Sequence, residues 1–110
     1  MVDWRDAEVE NETVFREMNE WAREQNGPVQ DSGAIERFLC ECGDRTCTDV
    51  IELSRPEYEW VRSLATRFAL AVNHENPEID HVVEENDRFT TVEKVAGPPS
   101  RIARETDPRR

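Results

Sequence analysis

Three cysteines lie within a stretch of eight residues, in the pattern Cys40-x-Cys42-Gly43-x3-Cys47. An odd number of cysteines cannot form a closed set of disulfides, so metal ligation and free thiols are the leading interpretations. Zinc favours thiolate and imidazole ligands, and a closed structural site needs four of them. Gly43, directly after a cysteine, lets backbone amides turn towards the sulfur atoms. The pattern therefore predicts three of the four ligands of a structural zinc site.

The fourth ligand must come from another part of the chain, which contains two histidines. His74 lies in a polar segment after a predicted strand, whereas His81 lies inside a strand pattern. We expect His74 to fold over the cysteine turn, which gives the ligand set Cys40, Cys42, Cys47 and His74. His81, or a carboxylate such as Glu41 or Glu75, is the alternative for the fourth position.

Two other interpretations of the cysteines stay open at this stage. Cysteine often packs as a small buried hydrophobe, so the three could be free thiols or could form a labile disulfide. The polar residues Glu41, Asp44 and Arg45 beside them indicate a polar rim instead. An open catalytic zinc with three protein ligands and a water is the other alternative, with Glu41 or Glu75 as general base.

The size and composition of the chain favour a metal-stabilised domain. A chain of 110 residues fits one domain, for which we expect residues 1–96, with a flexible tail over 97–110. Hydrophobic residues make up 36% of the chain and charged residues 35%, so the core must be thin. Thin cores of this size often use a metal as a staple.

The charge of the chain limits its partners. It carries 25 acidic and 14 basic residues, a formal net charge of −11, which repels nucleic-acid backbones and anionic membrane surfaces. The sequence contains no apolar run near the ~20 residues of a membrane span and no signal-peptide pattern at its N-terminus. We therefore expect a cytoplasmic protein whose partner is another protein, with no direct binding to nucleic acid or membrane.

The hydrophobic pattern predicts an α+β fold that begins with a long amphipathic helix over 3–26. Apolar residues recur there at steps of three and four and should form one buried stripe: Trp4, Ala7, Val14, Phe15, Met18, Trp21 and Ala22. A second, short helix should begin at the capping box formed by Ser54 and Glu57, and should end near Arg67.

Alternation of residue types predicts the strands of a small antiparallel sheet. Residues 35–42 should form a strand that pairs with 48–53, and it should place Cys40 and Cys42 on the same face. Residues 68–72 should pair with this cysteine hairpin and carry the His74 loop to it. Residues 79–84 and 88–95 should form a further hairpin. The predicted zinc ion would link the cysteine hairpin to the His74 loop, because both would supply ligands.

Several of these residues also carry a resemblance. Phe38, Cys40, Cys42, Gly43 and Cys47 are followed by the pair His74-Glu75 and by Val92-Glu93-Lys94. In this pattern the chain resembles a family of small uncharacterised actinobacterial proteins. The resemblance implies that the Cys and His positions are the ones to test, and it brings no known activity with it.

The absence of Gly-rich phosphate loops and of HExxH motifs in the sequence favours a non-enzymatic role. We therefore expect an adaptor or regulator that binds another protein and is stabilised by zinc. The alternative is a small zinc-dependent hydrolase or a thiol-based redox sensor that uses the same residues.

Overall fold

The computed structural model describes residues 4–27, 33–44 and 46–109, and it describes the side chains of the first helix from Ala7 onward. Three helices and five strands lie within these ranges. They are α1 (Trp4–Asn26), β1 (Ile35–Leu39), β2 (Val50–Ser54), α2 (Arg55–Arg62), β3 (Arg67–Leu70), β4 (Asp80–Glu85), β5 (Thr90–Lys94) and α3 (Pro98–Glu105). The predicted α+β class is confirmed.

The strands of the described chain form two antiparallel sheets, β1-β2 and β3-β5-β4. Both predicted hairpins are confirmed, with Phe38 opposite Ile51 in the first and Val82 opposite Val92 in the second. The prediction that β3 pairs with the cysteine hairpin as a strand is wrong, because the ladder partner of β3 is β5.

Glu41 covers the other edge of β3 with its backbone amide and its side chain. The Glu41 amide donates to the Ala69 carbonyl at 2.9 Å, and the Ala69 amide donates to Glu41 Oε1 at 3.0 Å. Glu41 thus satisfies both edge groups of Ala69, which would otherwise be left buried without partners. This arrangement joins the cysteine segment to the second sheet without a continuous ladder.

Helix α1 is buried on its polar face. The predicted burial of the apolar stripe is wrong for Val14, Met18 and Trp21, which are 52%, 50% and 64% exposed. The side chains of Glu12, Arg16, Asn19 and Glu20, together with Val9, are buried instead. The first residue of the predicted helix, Asp3, lies outside the described residues.

Hydrogen bonds explain why this polar face is buried. Arg16 donates to the carbonyls of Ala65 and Ala103, at 2.5 and 2.8 Å, and Asn19 bonds both backbone groups of Leu39. Hydrogen bonds offset the cost of burying polar side chains, so α1 docks through bonds from its polar face to backbone groups of other elements.

Helix α2 starts as predicted. Ser54 accepts from the Glu57 amide and Glu57 accepts from the Ser54 amide, which completes the capping box. The helix ends at Arg62, before the predicted end near Arg67, and β3 begins at Arg67. Its buried Tyr58 stacks on Phe38 with ring centroids 4.2 Å apart, which packs α2 against the β1-β2 hairpin.

The C-terminal segment forms a helix, so the expectation of a flexible tail is wrong for its described residues. Helix α3 has two prolines in its first turn, where the missing amide hydrogens need no partner within the helix. Ser100 and Ala103 are buried, and Ser100 Oγ donates to the Val95 carbonyl at 2.7 Å. With the bond from Arg16 to Ala103, these contacts hold α3 against α1 and β5.

Candidate metal centre

Three elements bring the candidate ligands together. The predicted strand over 35–42 is too long, because β1 ends at Leu39 and both Cys40 and Cys42 lie in the segment after it. Cys47 lies in the turn before β2, and His74 lies in the loop after β3. One ligand atom from each of Cys40, Cys42, Cys47 and His74 lies within 4.8 Å of those of the other three. The four residues predicted from the sequence are therefore close enough to bind one metal ion.

The distances at His74 fit a tetrahedral site. Nδ1 of His74 lies 3.5 Å from Cys40 Sγ and 3.7 Å from Cys47 Sγ. Around a zinc ion with Zn–S bonds of about 2.3 Å and Zn–N bonds of about 2.05 Å, a tetrahedral nitrogen-to-sulfur edge is about 3.6 Å. The imidazole nitrogen and the two sulfur atoms are thus spaced as ligands of one such ion.

Each thiol also receives a backbone hydrogen bond. The Ala71 amide donates to Cys40 Sγ at 3.1 Å, and the amides of Asp44 and Asp49 donate to Cys42 and Cys47. Amide donors stabilise negative charge on sulfur, so the site is prepared for thiolates.

The thiols differ in how readily they ionise. A hydrogen bond donated by the Cys40 thiol lowers the pKa of Cys42 to about 5. The same bond raises the pKa of Cys40, and burial raises that of Cys47. Cys42 is therefore the thiol that ionises first, and a metal ion would displace protons chiefly from the other two.

The other nitrogen of His74 has a carboxylate partner that the sequence analysis missed. Nε2 of His74 lies 3.2 Å from Asp49 Oδ2. A carboxylate behind a metal-binding imidazole fixes the tautomer and the ring orientation, so that Nδ1 keeps its lone pair for the metal. Among 25 acidic residues, nothing in the sequence distinguishes Asp49.

Gly43 allows α1 to pack against the cysteine turn. Its φ is +78°, a left-handed conformation that glycine adopts at little cost. A Cβ atom at this position would lie 2.6 Å from the Glu8 carbonyl oxygen, closer than atoms can approach. The glycine predicted for its freedom in the turn is therefore also required for close packing.

The predicted polar rim is wrong for Glu41. This residue is fully buried, and Oε1 accepts from Arg62 at 2.8 Å while Oε2 accepts from Asn19 at 2.7 Å. A carboxylate held this way cannot act as the general base that the catalytic interpretation needs. Asp44 is exposed, and Arg45 lies outside the described residues.

The alternative fourth ligands His81 and Glu75 do not belong to the cluster. His81 is exposed on β4. Within the described chain, the group of potential ligand atoms that includes the three thiols contains neither His81 nor Glu75. Among the alternatives in the sequence, the geometry favours His74.

No protein-family model matches the chain, and comparisons with curated proteins and with solved structures found no match either. Among the helices of the described ranges, none combines the length and apolar character needed to cross a membrane.

Proposed function

We propose that Cys40, Cys42, Cys47 and His74 bind one structural zinc ion, and that the zinc-stabilised domain is a non-enzymatic adaptor for another protein. The observation that carries the proposal is the cluster: three thiols and an imidazole whose ligand atoms lie within 4.8 Å of one another, each thiol with its own amide donor. Four protein ligands close the coordination shell, and closed zinc sites organise structure.

Zinc is the metal that this donor set favours. Thiolates and imidazole are soft or borderline ligands, whereas magnesium and calcium prefer oxygen ligands. Zn²⁺ has a filled d shell, which imposes no geometry of its own, and it is usually tetrahedral in structural sites. All three cysteines are free thiols, as ligation requires, and reduced thiols fit a cytoplasmic location.

The adaptor role is supported by the surface of α1. Val14, Met18 and Trp21 are exposed on one side of this helix, while its buried side is polar. Exposed apolar side chains grouped on one face mark interaction sites more often than catalytic ones.

One observation favours a small zinc-dependent hydrolase as the second candidate. A cleft of about 420 Å³ reaches Cys42 and His74, and the carboxylates of Glu8 and Glu75 also line it. If the metal had an open position facing this cleft, Glu75 could act as the base for a zinc-bound water.

X-ray absorption at the zinc edge separates the two candidates. The adaptor proposal predicts three sulfur ligands and one nitrogen ligand, with the same spectrum at about pH 6 and pH 9. A shell of three protein ligands and one oxygen, with a spectrum that changes as a bound water ionises near pH ~7, would establish the hydrolase instead.

A further inference from the structure

An apolar strip runs along the exposed side of α1. At about 100° per residue, a helix places residues 14, 18 and 21 within one narrow arc, and residues 15 and 22 beside it. Val14, Met18 and Trp21 are exposed, and Phe15 and Ala22 are half-buried. The strip lies opposite the polar side that docks α1 to the rest of the domain.

The outer face of the β1-β2 hairpin continues this strip. Met18, Trp21 and Ala22 line a groove of about 420 Å³ together with Leu39 of β1 and Val50 of β2. Leu39 and Val50 are register partners, so their side chains lie next to each other on the hairpin. We call this feature the α1-β1 groove. Its volume is that of a site for a few large side chains.

Acidic residues border the strip on the side away from the hairpin. Glu10, Glu17 and Glu24 follow one another at steps of seven and are all exposed. Among the residues that the structure describes, none forms an ion pair with these three carboxylates. A mainly apolar groove, which Arg37 also lines, therefore lies on one side of the strip, and a row of acidic residues without an ion pair in the described chain lies on the other.

The edge of β1 is closed to an added strand at Leu39, which lines the α1-β1 groove. Leu39 donates its amide to Asn19 Oδ1 at 2.8 Å, and its carbonyl accepts from Asn19 Nδ2 at 3.0 Å. An extended peptide that approached from α1 would find these backbone groups already paired, so strand addition is disfavoured. A helix needs no backbone partner, and it can place side chains into the groove at steps of three and four.

We propose that the α1-β1 groove binds an amphipathic helix of another protein, whose apolar face fills the groove and whose lysine or arginine side chains pair with Glu10, Glu17 and Glu24. The inference rests on the adaptor function proposed above and names the partner's chemistry. A second copy of this chain is a poor occupant, because its own acidic row and its net charge of −11 would repel the first.

A pair of designed peptides tests this proposal. Each would be an amphipathic helix of about 18 residues with a leucine face, one bordered by lysines and the other by glutamates. Fluorescence anisotropy with the zinc-loaded protein should show binding of the lysine peptide, weakened by salt, and at least about tenfold weaker binding of the glutamate peptide.

Matched variants locate the site. Trp21→Ala and Met18→Gln should each weaken binding of the lysine peptide by about tenfold or more, whereas Leu64→Ala, at another exposed apolar residue, should not. Glu17→Lys should weaken it more than Glu85→Lys, which changes the net charge equally at an exposed site on β4.

Several outcomes would overturn the proposal: no binding of the lysine peptide at millimolar concentration, equal binding of both peptides, or equal losses in Trp21→Ala and Leu64→Ala. Self-association of the protein that Trp21→Ala abolishes would assign the groove to a second copy instead. Zinc content and circular dichroism of each variant separate these failures from failure of the zinc proposal. The variant residues lie outside the ligand cluster, so a folded, zinc-loaded variant tests the groove alone.

Discussion

His74 and His81 carry the same side chain seven positions apart, but their surroundings differ. His74 lies among the three thiols, and Asp49 holds its second nitrogen. His81 lies exposed on β4 and outside the cluster. The pair therefore provides a matched test of the fourth ligand.

His74→Ala should weaken zinc binding by more than about tenfold, because removing a ligand costs at least as much as removing the carboxylate behind one. His81→Ala should leave the affinity unchanged. Competition with a zinc-binding dye measures both. If the His81 variant lost affinity and the His74 variant did not, the assigned ligand set would be wrong.

Glu41 is the buried charge on which the cysteine segment depends. Its carboxylate and the Arg62 guanidinium are almost completely buried and 2.8 Å apart. Glu41→Gln should lower the free energy of unfolding by about 3–5 kcal/mol, because Arg62 would keep an uncompensated buried charge.

Glu36→Gln is the control for this change. Glu36 forms an ion pair with Arg55 at 2.9 Å, but both side chains keep some contact with solvent, so the loss should be smaller than at Glu41. Urea unfolding of the zinc-loaded variants measures both changes. Equal losses would show that Glu41 is not the structural anchor that its contacts indicate.

The sequence predicts the four residues of the cluster but not the residues that contact them. The cysteines are close in sequence, and a polar loop after a strand marks His74, so local patterns suffice for these four. Asp49 and the buried Glu41 lie next to or between the cysteines, yet their roles depend on His74, Arg62 and Ala69, which only the folded chain brings near.

Local signals predict the hairpins and the start of α2. The alternation of apolar and polar residues and the Ser54–Glu57 capping box both act within a few residues. The buried face of α1 is not predictable in this way. Hydrophobic periodicity predicts the apolar strip. It cannot predict the buried side, because Arg16 and Asn19 bond to residues that are distant in the sequence. The position of helix α3 is also not predictable locally, because α3 has few apolar residues and is bonded to Arg16 of α1.

Helix α1 also brings a buried carboxylate to β4 and β5. The carboxyl groups of Glu12 and Asp80 both contact the Lys94 ammonium, so one cation faces two acids. Burial raises the pKa of Glu12 to about 8, an effect that exceeds the opposing attraction of Lys94. At neutral pH this carboxyl is therefore mostly protonated in the folded protein.

The stability of the protein should consequently fall as the pH rises from about 4.5 to about 8, and this contribution should level off above that range. A carboxyl with a raised pKa in the folded state stabilises most fully below its unfolded value of about 4.5, and it loses that contribution as the pH rises through about 8. Glu12→Gln cannot ionise, so its free energy of unfolding should decline less between about pH 6 and pH 9. Urea titrations at these pH values, with zinc in excess, compare the two proteins. Parallel profiles would contradict the assignment.

The net charge of −11 is unfavourable for contacts with the phosphate groups of nucleic acids. We expect no binding of random duplex DNA or of RNA in gel-shift assays at physiological salt. Tight binding that weakens steeply with added salt would contradict this expectation and would require a basic surface that outweighs the net charge.

If one zinc ion, held by Cys40, Cys42, Cys47 and His74, keeps this domain folded, zinc release and unfolding must occur together. The most direct test is a chelator titration of protein purified without oxygen, which follows zinc release with a metallochromic dye and folded structure by circular dichroism. We expect about one zinc per chain, with release and unfolding in the same transition, because ligation supplies free energy of folding. Metal-free protein with the same melting temperature as the zinc-loaded protein would contradict this expectation.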